Sequence, residues 1–208
     1  MIILAIDTSL DDCIVAIAQD GEILASSCQK TKSKQAEILP QMVKEICEKA
    51  KINPKQIDKI GVTIGPGSFT GVRVGLAFAK GLAIATDAQI IGISTLELLA
   101  QSSSNSKTIA LIEQMGSVFA ASFINGEMID APNRFENFDF IKNYESDWSI
   151  IGFKKPTELE NHNFIIKETF DIDSFIKLCT QKDIQKNPPI PQYLRGADAK
   201  LWQGSQYV

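Results

Sequence analysis

The run from Lys59 to Thr86 constrains the fold of this chain more than any other. Lys59–Ile64 (KIGVTI) is apolar and β-branched enough to be a buried strand. Gly65-Pro66-Gly67-Ser68-Phe69 breaks it as a turn, and Ser68 or Thr70 stands where a cap would start a helix reaching to about Thr86. That helix carries only two charges, Arg73 and Lys80. Val72, Val74, Leu76, Phe78, Leu82 and Ile84 are spread around it. A helix apolar on most sides must be covered on most sides, by its own core or by a partner. Gly71, Gly75 and Ala79 fall four apart and make one face small, a pattern that in membranes allows close helix approach.

The elements around this unit set an order. Met1–Ile6 reads as a strand, Cys13–Ala18 as a second, and Asp20-Gly21 as a type I′ hairpin turn into a third, Glu22–Gln29. Ser33–Lys51 has an apolar stripe at helical spacing, with Leu39, Met42, Val43, Ile46, Cys47 and Ala50 on one side. Pro40 inside it predicts a kink or a start just before it. Gln89–Ile93 is a strand, Ser94 opens a short helix to Ala100, and Gln101–Lys107 is a polar linker. The linker divides the chain into two expected subdomains, 1–101 and 108–208. Beyond it, Thr108–Ile112 and Ser117–Ile124 read as strands, Asn125-Gly126 as a turn and Asp171–Leu178 as a helix. The aromatics between about Asp130 and Thr180 have little periodicity. Strand, strand, strand, helix, strand, helix, strand, helix predicts a mixed sheet with helices packed on it.

Several function classes are excluded early. With a net charge of −4 over 208 residues, the chain has no global attraction for a phosphate backbone, so any nucleic acid in its pathway is held by another subunit. Its single histidine, His162, rules out a multi-histidine metal site and leaves Cys13, Cys28, Cys47 and Cys179 without a base, so these read as reduced core thiols. No stretch resembles a signal peptide or an uncharged membrane span, which predicts a cytoplasmic protein. No catalytic constellation and no metal site emerge. Asp11-Asp12 reads as a solvated loop.

Two loops have chemical potential. Asp7-Thr8-Ser9 follows the first strand, where short polar groups either hold a phosphate or simply stabilise the turn. Gly65-Pro66-Gly67 precedes the apolar helix, where the helix N-terminus favours an anion, or the glycines merely aim the helix. The second loop is neither a Walker A loop nor a Rossmann fingerprint.

Ile3-Leu4-Ala5-Ile6-Asp7-Thr8-Ser9, the run from Ile64 through Gly75 (IGPGSFTGVRVG) and the segment Gly92-Ile93-Ser94-Thr95-Leu96-Glu97 together resemble the TsaB (YeaZ) family. The likeness covers residues 1–100. Pro191-Gln192-Tyr193-Leu194-Arg195 is similar to that family's closing motif, whereas Ile112–Phe119 keeps only a glycine and a valine of its DARxGEVY motif.

The resemblance implies an α/β fold of the actin-like ATPase (ASKHA, ribonuclease H-like) type, with two related subdomains and the second reduced. It implies a non-catalytic subunit that binds TsaD, with TsaE, in threonylcarbamoyl transfer to N6 of adenosine 37 of tRNA. Pairing would use the helices Ser33–Lys51 and Thr70–Thr86. The partner surface expected from them is Leu39, Met42, Val43, Ile46, Gly71, Val72, Val74, Gly75, Phe78, Ala79 and Leu82. It also implies no tightly bound cofactor, ATP or ADP at the partner interface, a homodimer when alone, and only indirect contact with tRNA. Aligned with TsaD, the places of its two metal-binding histidines hold Thr95 and Leu99, which speaks against the M22 glycoprotease reading. The competing class is an independent ATP-binding or hydrolysing protein of the same fold.

Overall fold

The structure, a computed structural model, describes residues 1–31 and 34–194. Its first sheet has five strands: β1 (Ile2–Asp7), β2 (Asp12–Gln19), β3 (Glu22–Lys30), β4 (Lys59–Gly65) and β5 (Gln89–Ser94), in the order β3-β2-β1-β4-β5. β1 pairs antiparallel with β2 and parallel with β4. The β2–β3 hairpin turns at Asp20 and Gly21, both at positive φ (52° and 90°), as a type I′ turn requires.

The second sheet is built from β6 (Lys107–Gln114), β7 (Ser117–Ile124), β8 (Glu127–Phe135), β9 (Ser149–Gly152) and β10 (Phe164–Ile166). Written β8-β7-β6-β9-β10, it repeats the first sheet strand for strand: three antiparallel strands, then two parallel to the central one. No sequence repeat announces this duplication. Both halves end in a helix, α3 (Thr95–Gln101) after β5 and α4 (Ile172–Gln181) after β10. The difference lies in the crossovers. The first half uses two long helices, α1 (Gln35–Ala50) and α2 (Phe69–Thr86). The second has only 3₁₀ turns at Asp139–Asn143 and Thr157–Leu159. This is the actin-like α/β fold with a reduced second subdomain.

The layers follow from which faces are apolar. α1 and α2 cover the outer face of the first sheet, burying Leu39, Met42 and Ile46 against Leu4, Ile6, Val15 and Ile60. Between the sheets, α3 and α4 complete a core shared by both halves, with Ile3, Ile93, Leu99, Phe123 and Phe175 fully buried. The outer face of the second sheet, lacking helices, is sealed by Phe135, Phe138, Phe140, Tyr144, Trp148 and Phe164. The polar linker expected at 101–107 is the loop between α3 and β6. Past it the chain recrosses: α4 packs on the first sheet, where Lys59 Nζ donates to the Cys179 carbonyl (3.0 Å).

Local details refine several expectations. α1 starts five residues ahead of Pro40, which sits exposed in its second turn at the cost of one backbone hydrogen bond. Ser33 lies outside the described residues. α2 begins at Phe69, capped by Ser68, whose Oγ accepts from the Gly71 N–H (3.2 Å). By length and mean hydropathy (1.2) α2 matches a membrane-crossing helix, yet here Val72, Leu76 and Ala79 are in the core. Cys13, Cys47 and Cys179 are buried thiols, but Cys28, on the edge strand β3, is exposed rather than in the core.

Candidate functional site

The Asp7-Thr8-Ser9 turn is fully buried. Asp7 Oδ1 accepts three hydrogen bonds, from the Ser9 N–H (3.0 Å), Ser9 Oγ (2.6 Å) and Thr63 Oγ1 (2.6 Å). Thr8 Oγ1 donates to the Gly71 carbonyl (2.7 Å), and the Ser68 N–H donates to the Ser9 carbonyl (2.6 Å). Burial pushes the Asp7 carboxyl up from its ordinary value, against the pull of the bonds from Ser9 and Thr63.

This arrangement explains the row of small residues. A Cβ at Gly67 would run into the Ser9 carbonyl, one at Gly71 into the Thr8 carbonyl, and one at Gly75 into the Thr8 hydroxyl. The small face of α2 therefore receives the chain's own β1–β2 turn, not another helix. Gly65, at φ 98°, and Pro66 belong to the same scaffold, with the Pro66 carbonyl accepting from Thr95 Oγ1. A polyphosphate needs free N–H and O–H donors and positive charge. The hydroxyls of Thr8 and Ser9 and the amides of Ser9 and Ser68 are all engaged within the protein. These donors of the expected phosphate loops are thus turned to the protein itself.

Asp7 lies at the bottom of a cleft of about 560 Å³ between the two halves. Leu10, Asp11, Asp12, Lys30, Leu111, Ile112, Glu113, Gln114, Phe153, Lys154, Glu168, Thr169 and Phe170 complete its walls. Asp11 is exposed, but Asp12 opens β2 and has a buried Oδ1, so this pair is not simply a solvated loop. Among the described residues, no group of three or more His, Cys, Asp or Glu side chains is placed to hold a metal ion. Thr95 is bonded to Pro66 and Leu99 lies in the core.

The second candidate surface is outside, on α1 and α2. Of the eleven residues expected there, Leu39, Met42, Val43, Ile46, Gly71, Val72, Gly75 and Ala79 are buried in the chain's own core. Val74, Phe78 and Leu82 are half-buried at the surface. Between them stand the exposed Ala77, Gly81 and Ala85. The six fall at i, i+3, i+4, i+7, i+8 and i+11, one continuous stripe of a helix. Beside it, Ile84 is 83% exposed. A groove of about 490 Å³ runs between the helices, with Pro40, Val43, Cys47, Ile52, Phe78 and Leu82 among its walls.

The extended, proline-rich stretch before Tyr193 that the sequence shows has contacts that the sequence does not reveal. Residues 187–194 form a strap across the ends of β4 and β5. Gly92 N–H donates to the Asn187 carbonyl (2.9 Å) and Gln192 N–H to the Ile64 carbonyl (2.7 Å). Arg73 is held between Phe69, whose ring centre is 3.7 Å from the guanidinium carbon, and Tyr193, whose hydroxyl accepts from Nε (2.7 Å). Arg195 of the closing motif lies outside the described residues.

The family model for TsaD, the tRNA N6-adenosine threonylcarbamoyltransferase, matches residues 23–121. The tRNA threonylcarbamoyladenosine biosynthesis protein TsaB of Buchnera aphidicola subsp. Schizaphis graminum is 31% identical over 164 residues, spanning 73% of this chain and 78% of that one. The chain belongs to the TsaB family. The Escherichia coli TsaB is 36% identical over 132 residues, which are 61% of this chain and 57% of its relative. YeaZ from Pseudomonas aeruginosa superposes with a TM-score of 0.76 at 22% identity, covering 93% and 99% of the two chains, a likeness of fold. In this TsaB-family chain, both the occupied turn after β1 and the outward stripe of α2 lie within residues 1–100, where the motifs resemble the family most.

Proposed function

We propose that this protein is a non-catalytic subunit that docks on TsaD and supports threonylcarbamoyl transfer to N6 of adenosine 37 of tRNA. Membership of the TsaB family gives the chain its role in tRNA threonylcarbamoyladenosine biosynthesis. The observation that carries the finer reading is the α2 stripe: Val74, Ala77, Phe78, Gly81, Leu82 and Ala85 form an apolar, partly exposed helix face that no other element covers among the described residues. Small residues alternating with large ones suit a packed helix. An uncovered apolar face of this kind marks an interaction site in soluble proteins. The same face serves a homodimer when the partner is absent. The acidic chain leaves tRNA to TsaD, and TsaE joins the assembly, which works in the cytoplasm. ATP or ADP acts at the interface with the partner and is not held tightly by this chain. The rival reading, an independent ATPase, is disfavoured by the filled turn at Asp7-Thr8-Ser9.

The test is to mix the protein with TsaD of the same organism and measure mass by size-exclusion chromatography with light scattering, with and without ATP. A one-to-one complex that is lost on Gly81→Arg supports the proposal. Gly81 is exposed and an added Cβ there meets nothing within 4 Å, so a longer side chain can leave toward solvent without disturbing the core. Separate elution in both conditions overturns it.

A further inference from the structure

Arg73 is held in place without meeting a carboxylate. Its guanidinium stacks on the Phe69 ring, and its Nε donates to the Tyr193 hydroxyl (2.7 Å). The two rings lie 5.2 Å apart, and both are exposed, by 52% and 45%. Tyr193 is placed by the strap, which lies so close on β5 that a Cβ at Gly92 would run into the Pro188 carbonyl. Lys107 and Lys182, by contrast, each hold a carboxylate of this chain. Among the described residues Arg73 has no ion pair and no further hydrogen bond, which leaves both terminal nitrogens of its fork for another molecule. Binding ordinarily costs an exposed arginine its side-chain freedom. Here the stack and the Tyr193 bond have removed that freedom beforehand, and a planar fork suits a carboxylate.

Arg73 also stands in line with the outward stripe of α2. Phe69, Arg73, Ala77, Lys80 and Ile84 fall at i, i+4, i+8, i+11 and i+15, an exposed row that borders the stripe and shares Ala77 with it. Arg73 and Lys80 are the only charges on α2, and both are in this row. An apolar helix face with cations along one side and an aromatic pair at its head is complementary to an apolar helix with carboxylates along one side.

We infer that Arg73, oriented by Phe69 and Tyr193, is the anchor that receives a carboxylate of TsaD, and that Lys80, two turns along α2, steers the same acidic side. The inference rests on the docking proposed above and adds the chemistry that selects the partner, a surface acidic beside the apolar helix it presents. Tyr193 is a positioning residue, acting through Arg73.

The experiment is isothermal titration of the full chain into TsaD of the same organism, without nucleotide, at about 50 mM and about 300 mM sodium chloride. The parent should bind, more weakly at the higher salt. Arg73→Glu should weaken binding about tenfold or more at the lower salt and lose most of the salt dependence. Arg73→Lys, which keeps the charge and loses the fork, should fall between the two. So should Tyr193→Phe, which keeps the ring and removes the hydroxyl that fixes Nε. Both positions are exposed, and circular dichroism checks that the variants are folded. If Arg73→Glu binds like the parent at both salts while Gly81→Arg has lost the complex, this inference falls and the docking reading stands. Weakening with an unchanged salt dependence marks a steric effect and overturns the inference as well. So does an effect of Arg73→Glu that emerges only once magnesium ATP is added, which assigns Arg73 to a nucleotide phosphate. No binding by the parent at either salt overturns both readings.

Discussion

Replacing glycine by alanine at two positions of α2 should move stability in opposite directions. Gly81 is in the helix interior and faces solvent, with nothing within 4 Å of an added Cβ. Gly81→Ala therefore shows helix propensity alone and should stabilise by about 1 kcal/mol. Gly71 offers the same propensity gain. Its Cβ, however, would overlap the Thr8 carbonyl, a backbone atom in a turn fixed by the Ser68–Ser9 and Thr8–Gly71 hydrogen bonds. Forcing a methyl into such a contact costs about 1–3 kcal/mol, and pushing the helix away weakens the Thr8–Gly71 bond by about 1 kcal/mol more. The propensity gain offsets only part of this, so Gly71→Ala should destabilise by about 1–3 kcal/mol. Urea unfolding followed by circular dichroism, at a concentration where both variants are monomeric, reads the difference directly. If Gly71→Ala is as stable as Gly81→Ala, α2 is not seated on the β1–β2 turn, and the explanation of the small-residue face fails.

Other consequences are equally direct. Met115 sits at φ 50° in the β6–β7 turn, 75% exposed, ahead of Gly116 at φ 71°. Asn tolerates that conformation better, so Met115→Asn should raise stability by about 0.5–1 kcal/mol in thermal unfolding; a loss would contradict the turn geometry. Iodoacetamide should label Cys28 alone in the native protein, and slowly, because desolvation raises its pKa; Cys13 and Cys179, pushed up to about 12 by burial, and Cys47 should react only after unfolding, as peptide mapping would reveal. Finally, Asp7 has a raised pKa in the folded state, chiefly from burial and with Asp12 adding to it. Its contribution is complete below its ordinary value of 3.8 and declines as pH rises through the folded value. Asp7→Asn should accordingly gain on the parent in unfolding midpoints as pH rises above the ordinary carboxylate value, and a pH-independent difference would show that Asp7 does not titrate in the fold.

The first half was legible because its signals are strong: β1, β2 and β4 are apolar runs buried on both faces, and Asp-Gly marks the hairpin. The second half hid its strands for physical reasons. β8 is an edge strand exposed along nearly its whole length, so it has no apolar alternation, while β9 and β10 have only four and three residues. The aromatics there have no helical period because they plug a sheet face without a helix. At the site, sequence located the right loops but not their use. Apolarity all round α2 does not say which side meets its own sheet, and in the fold Gly71, Gly75 and Ala79 face in rather than toward a partner. Ala77, Gly81 and Ala85 were overlooked as small residues, although their spacing with Val74, Phe78 and Leu82 was readable. The strap at 187–194 makes its contacts through backbone groups and a single Arg73–Tyr193 pair, which no periodicity reports.

The duplicated topology explains why, among the described residues, only the first half presents an outward apolar helix stripe. In the first half, the turn after β1 is roofed by the glycines of α2, which take up its hydroxyls and leave the α2 stripe pointing outward. In the second half, the crossover equivalent to α2 has shrunk to the turn Thr157–Leu159, and the turn equivalent to Asp7-Thr8-Ser9 is a two-residue hairpin at Met115-Gly116. The two central turns thus differ in form, one filled by hydrogen bonds to α2 and the other a two-residue hairpin. What remains between them is a cleft wall lined by Asp11, Asp12, Glu113 and Glu168 with Lys30 and Lys154. What remains outside is an apolar helix face that, among the described residues, only the first half possesses, which is why the proposed docking on TsaD is tested there and not on the second sheet.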